Sequence, residues 1–248
     1  MIWQKALSAP GLRSTPDSGF TGDGSMKLCV FSDIHGNFPF FEAFLRAAEA
    51  DRPDRLIFLG DSVSYYPDGC AVIRKLREIG ALCIEGNHDS MLRGEFPIPE
   101  RHEPVYQLRR TMAAVSPEEL AFVKTWPEIV TEVIDGKRIT FVHGSPLNHL
   151  KGYTYADSEL ALYDDPETDV VFMGHTHRPW IRQNEHTLMV NVGSVGLPRD
   201  EGNGCRPAWA VYDTLTGAAE IKRADADPAP LLSRREEIHE SVLSALSR

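Results

Sequence analysis

Asp, Asn and His residues, the types that hold metal ions and move protons, stand in five short clusters of this 248-residue chain: Asp33-Ile34-His35, Gly60-Asp61, Gly86-Asn87-His88-Asp89, His143-Gly144 and Gly174-His175-Thr176-His177. Each follows directly on an apolar run (LCVF, LIFL, LCIE, ITFV, VVFM), and polar groups at the carboxyl ends of strands in an α/β sheet converge on one crevice. Asp33 and His35 are two residues apart, as are His175 and His177, so in extended backbone each pair faces one side. Oxygen and imidazole donors without thiolate suit Mn²⁺ first, with Fe, Ni²⁺ or Zn²⁺ also compatible. The seven residues Asp33, His35, Asp61, Asn87, His143, His175 and His177 are too many for one ion with an open position. They suit two divalent ions sharing a bridging carboxylate, and two ions ~3.5–4 Å apart form a clamp for in-line attack at phosphorus.

The elements that must position these clusters alternate from Met26 onward. LCVFSDIHGN, DRLIFLGD and ALCIEGNHD read as buried strands, separated by helical spacing in FEAFLRAAEA and in GCAVIRKLREIG, where Gly80 is placed as a helix C-terminus. Residues 91–127 break the rhythm with a helical insert, its second helix opened by Ser116 with Glu119 three residues on. EIVTEVIDGKRITFVHG reads as a hairpin turning at Asp135-Gly136. VVFMGHTH, HTLMVNVGS and AWAVYDTLTGAAEIK follow as strands, and LLSRREEIHESVLSALSR as a closing amphipathic helix carrying Leu231, Ile238, Val242 and Leu246. The order predicts one α/β domain over 26–248, two sheets with helices outside. Residues 1–25, rich in Gly, Pro, Ser and Thr with no apolar core of signal-peptide length, read as a flexible extension.

Bulk properties narrow the function. An apolar fraction of 42% with 25% charged residues is that of an ordinary globular chain. No run approaches the ~18 apolar residues of a membrane span, so no membrane partner is expected. The formal net charge of −10 argues against a broad nucleic-acid surface. It leaves room for a small phosphate-ester substrate, because bound cations reverse local charge. Cys29, Cys70, Cys83 and Cys205 form no CxxC pair, and a reducing, cytoplasmic compartment fits them best.

The series D-x-H, G-D, G-N-H-D, H-G, G-H-x-H, in this order over about residues 27–222, resembles the calcineurin-like metallophosphoesterase superfamily. SDIHGN, HGSP, GHTHRP and NVGSVGLPRD are similar to its small bacterial and archaeal phosphodiesterase branch. The resemblance implies a four-layer α/β/β/α sandwich with two mixed sheets. It implies that Asp33, His35 and His177 hold one metal, that Asn87, His143 and His175 hold the other, and that Asp61 bridges them together with a hydroxide. His88 matches the family's non-ligand histidine, which contacts phosphate and assists the leaving group. Asn37, Arg178 and Arg199 are candidate substrate contacts.

The activity implied is hydrolysis of a phosphodiester or small nucleotide. A phosphomonoesterase or protein Ser/Thr phosphatase-like activity is the alternative, and a non-catalytic scaffold of the same fold is disfavoured by the complete ligand set. One departure bears on this choice. The family's phosphatases carry Asp-Arg shortly after the G-D motif, where this chain has Ser64-Tyr65, so a guanidinium grip on phosphate is expected to be missing. The insert is expected to overhang the site. His102, His149, His186 and His239 match nothing in the pattern and are expected on the surface or in the core.

Overall fold

A computed structural model describes residues 25–247. The extension expected over residues 1–25 lies outside the described residues but for Ser25. Two mixed five-stranded sheets form the centre of an α/β sandwich. In the first, β1 (Lys27–Phe31), β2 (Arg55–Phe58) and β3 (Leu82–Cys83) run parallel, β9 (Ala208–Asp213) pairs antiparallel with β1, and β10 (Ala218–Arg223) pairs antiparallel with β9 at the edge. The second has the order β4-β5-β6-β8-β7, with β4 (Ile129–Ile134), β5 (Lys137–Val142), β6 (Val170–Met173), β7 (Trp180–Gln183) and β8 (Leu188–Asn191).

Strand alternation sorts the core. Leu28, Val30 and Ile57 of the first sheet meet Phe141, Phe172 and Val190 of the second, all fully buried. The other face of the first sheet, with Cys29, Phe31 and Phe58, packs on α1 (Phe38–Ala48), α2 (Gly69–Glu78), α3 (Asn87–Arg93) and the insert helices. The layer outside the second sheet is thin. Met173 and Met189 there lie under Leu160 and Tyr163 of the 144–169 connection.

The insert is more broken than its pattern predicts: α4 (Glu103–Tyr106), α5 (Leu108–Ala114) and α6 (Pro117–Val123) are single short helices. Gln107, in left-handed backbone at φ 51°, separates the first two. Ser116 and Glu119 do form the expected reciprocal cap of α6. The closing helix is also interrupted. It becomes α7 (Ala229–Leu232), a 3₁₀ turn, and α8 (Glu240–Leu243), because Ile238 is extended and the His239 side chain caps α8. The apolar stripe survives the break, with Leu231, Ile238 and Val242 buried against Phe40, Tyr66 and Leu197. β7 gave no sequence signal. It is an edge strand of which only Trp180 is buried.

Candidate metal centre

The five clusters meet at the carboxyl ends of the strands, but not as extended backbone. β1 stops at Phe31, and Asp33 (φ 56°) and His35 (φ 54°) lie in left-handed turns. Asp61, His175 and His177 do likewise, at φ 64°, 64° and 59°. The expected same-side alternation is thus replaced by tight turns, in which Asp and His are tolerated better than most residues but at about 1–3 kcal/mol each. Close backbone approach holds them there. A Cβ on Gly86 would lie 2.3 Å from both the amide nitrogen and Oδ1 of Asp61, so only glycine lets the two loops meet.

The turns bring seven donors together. Asp33 Oδ1 lies 3.2 Å from His177 Nε2 and 3.6 Å from His35 Nε2, and the two imidazole nitrogens are 3.1 Å apart. On the other side His143 Nε2 is 3.1 Å from both Asn87 Oδ1 and His175 Nδ1. Asp61 Oδ2 stands between the two sets, 3.7 Å from His35 Nε2 and 3.4 Å from His143 Nε2. Asp33, His35 and His177 form one compact donor group, and Asp61, His143 and His175 another.

The donor chemistry fits cations. His35, His143 and His177 each direct Nδ1 to a backbone carbonyl, of Val63, Leu59 and Leu197 respectively. A carbonyl only accepts, so Nδ1 carries a proton, and in the neutral imidazole the Nε2 lone pair faces the other donors and the carboxylates. Acceptor then meets acceptor in a buried site, and Asp33 Oδ1 and His175 Nε2 have no hydrogen-bond partner among the described residues.

The field agrees. Burial opposes ionisation of Asp33 and Asp61, yet the surrounding imidazoles outweigh it and hold both carboxyls well below the usual range. Burial likewise disfavours charge on His143, but Asp61 lifts it to about 9, so positive charge is stabilised where the donors converge. His175 and His177, brought down to about 3 and 4 chiefly by burial, keep their lone pairs free.

His88 lies beside this cluster, 4% exposed, its ring 5.1 Å from that of His35. It forms a third compact group with His35 and Asp61, and its Nδ1 has no partner among the described residues. Burial brings it to about 3 despite Asp61. Asn37 is corrected: its Oδ1 caps α1 through Phe40 N, and its Nδ2 donates to the Gly196 carbonyl at 2.7 Å in a fully buried position. It braces loops and is not a free phosphate donor. Arg178 is exposed, donating from Nε to the Arg199 carbonyl. Arg199 is half-buried, its guanidinium next to the Tyr65 hydroxyl and its charge felt by His177. A guanidinium from the loop after β8 thus stands beside Tyr65, the position where one was expected to be missing.

Two groups escaped the sequence reading, and Asp89, which closes one of the five clusters, was given no role there. Asp89 accepts from the amides of Asp61 (2.7 Å), Ser62 (3.0 Å) and Gly86 (3.0 Å) and from Ser62 Oγ (2.5 Å), so it holds the Asp61 turn in shape. Tyr106 of α4 packs its ring 4.5 Å from His88, so the insert does reach the site, through this residue. Tyr153 stacks 4.2 Å from His175 on the opposite side. His102, expected to be remote, packs 5.3 Å from Tyr106 and lines a cavity with it. His149 and His186 are surface residues paired with Glu128 and Asp164.

The model of the calcineurin-like phosphoesterase superfamily domain matches residues 26–216, which include all five clusters. The chain belongs to that superfamily. An uncharacterized protein of Methanocaldococcus jannaschii is 26% identical to this phosphoesterase-family chain over 217 residues, which are 81% of this chain and 88% of the relative. A metallophosphoesterase from Sphaerobacter thermophilus shares the fold, with TM-score 0.76 and 24% identity over 90% of this chain and 98% of the other. A symmetrical bis(5'-nucleosyl)-tetraphosphatase of Photorhabdus laumondii is 32% identical over 98 residues, 38% of this chain and 36% of that enzyme. Among the described residues no helix is long and apolar enough to cross a membrane.

Proposed function

We propose that the chain hydrolyses a phosphate ester, a diester or small nucleotide in preference to a phosphoprotein, with two divalent ions per chain. The observation that carries this reading is the position of Asp61 Oδ2, within 3.7 Å of the donor nitrogens of both sets. Asp33, His35 and His177 would hold one ion, Asn87, His143 and His175 the other, with Asp61 common to both. When bound, such a pair supplies a nucleophile at neutral pH and offsets the charge of the phosphate.

The remaining work falls to the chain's own side chains. Arg199 brings a guanidinium to the rim, where it offsets phosphate charge. His88 is neutral in the free protein because burial outweighs Asp61. An anionic phosphate alongside would add a negative charge and raise its basicity, so that its proton is available to the leaving oxygen when substrate is bound. Asp89 keeps the Asp61 turn rigid through four accepted hydrogen bonds.

The preference for a diester no longer rests on a missing guanidinium, since Arg199 stands beside Tyr65. It rests on the aromatic groups Tyr65, Tyr106 and Tyr153 around the cluster, which suit organic arms on the phosphate. Arg199 favours the competing monoesterase reading. A cytoplasmic location belongs to this proposal too, supported by Cys29 and Cys83, buried thiols pushed up in pKa by burial.

The test is a rate comparison of Mn²⁺-reconstituted protein on bis-p-nitrophenyl phosphate, p-nitrophenyl phosphate and a phosphoserine peptide. The diester is expected to turn over fastest. Faster turnover of the phosphoserine peptide would sink the substrate preference, and no turnover of any would sink the enzymatic reading.

A further inference from the structure

The two rings that cover His88 also wall a separate cavity of about 270 Å³. Tyr65 and Tyr106 form its aromatic side, with ring centroids 5.3 Å apart. Leu197 and Val242 contribute apolar lining, and His102 and Arg199 polar lining. On this side the Tyr106 carbonyl accepts hydrogen bonds from Tyr65 N at 2.8 Å and Ser64 Oγ at 3.0 Å, tying α4 to the turn after Asp61. Tyr65 packs 4.7 Å from the His35 ring, so cavity and donor cluster share a boundary.

Size and chemistry select the occupant. Sites for drug-sized ligands run to about 300–1,000 Å³, so this one has room for a single ring system and not for a peptide or an oligonucleotide. An aliphatic group would satisfy Leu197 and Val242 but leave the polar lining residues His102, Arg199 and Ser241 unmatched. A nucleobase presents π faces to the tyrosines and ring nitrogens with exocyclic groups to His102 and Ser241. Arg199 both lines the cavity and adjoins the Tyr65 hydroxyl, so its positive charge is available to a phosphate between cavity and cluster.

We propose that this cavity is a nucleobase subsite, which receives the base of a nucleotide whose phosphate lies on the metal cluster at the His88 side. The proposal rests on the phosphoesterase reading of that cluster, so its test must separate the two. Binding of adenosine 5′-monophosphate and of methyl phosphate to Mn²⁺-loaded protein is measured by titration calorimetry. The nucleotide is expected to bind at least roughly tenfold more tightly, within what stacking of a base on aromatic side chains supplies.

Val242→Phe, which narrows the cavity away from the donor cluster, should reduce that ratio below about threefold while methyl phosphate binds as before, and Tyr106→Ala, which removes a half-exposed ring, should weaken nucleotide binding as well. Melting temperatures identify any variant that fails to fold, and the wild-type ratio stands without either. Equal affinities in the wild type, or a ratio untouched in a folded variant, overturn the subsite and leave the phosphate site standing. If the loaded protein binds neither compound, the phosphoesterase reading falls and the subsite with it.

Discussion

The turns that carry the metal donors and the wall that carries Tyr106 and Val242 lie side by side and are built in opposite ways. The donor turns are buried, held in left-handed backbone, and braced by bonds such as Asp89 to three amides and His35 Nδ1 to the Val63 carbonyl. The wall comes from short helices of four residues each, α4 and α8, whose neighbouring segments meet through an exposed pair, Arg110–Glu237. Chemistry at phosphorus tolerates little displacement, and a rigid, over-determined frame meets that demand. Recognition of an organic arm tolerates more, and short elements at the edge can change without disturbing the frame.

Changes in the frame should therefore be costly and changes in the wall mild, and four variants test this in descending order of effect. Asp61→Asn removes the carboxylate common to both donor sets. It should lose more than the roughly 10–100-fold in metal affinity that follows removal of an outer partner, and nearly all activity. His186→Ala, on a distant exposed loop, serves as control and should change neither. His88→Ala should keep its metal and lose about 10²–10⁴-fold in rate on an alkyl ester, with a smaller loss for p-nitrophenolate, which needs little protonation to depart. Loss of metal in this variant would make His88 a ligand, which its grouping with His35 and Asp61 permits.

Asp89→Asn comes third. It keeps the size but weakens the acceptor that shapes the Asp61 turn, and metal affinity should fall by about 10–100-fold. An unchanged affinity would mean that the turn holds without it.

Glu237→Gln probes the wall. Two arginines, Arg234 and Arg110, hold Glu237 down at about 2. A depressed carboxylate stabilises the fold above its ordinary pKa of about 4.5, and that contribution is lost as pH falls toward 2. Because the side chains are more than one-third exposed, the contribution is about 0–1 kcal/mol. The variant should melt slightly lower at pH 7 and converge with the wild type near pH 2–3. A large drop at neutral pH would show that the wall is as tightly built as the frame.

The same contrast explains what could be read from the sequence. The donor set was legible because each cluster ends an apolar strand, and every strand but β7 followed from the apolar pattern, with the Asp135-Gly136 hairpin marked by its turn residues. The backbone that presents the donors was not legible, because left-handed turns at Asp33 and His35 depend on contacts with loops distant in sequence, such as Asp33 N to Gly60 O and Gly196 N to Asp33 O. Asn37 was misread because its role as a cap depends on where α1 begins, and its second bond on a carbonyl at Gly196. The cavity was hidden most deeply. Its residues come from four separate stretches, near 65, 102–106, 197–199 and 241–245, none of which carries a motif for it. The broken closing helix is an intermediate case, since its apolar stripe was right although Ile238 leaves helical backbone.

The central claim is that one carboxylate, Asp61, stands between two complete donor sets. Elemental analysis of the intact chain after reconstitution with Mn²⁺ and removal of free metal tests it most directly. The structure predicts two ions per chain in the wild type and a substoichiometric amount in Asp61→Asn. One ion or fewer in the wild type, with every donor intact, would contradict it.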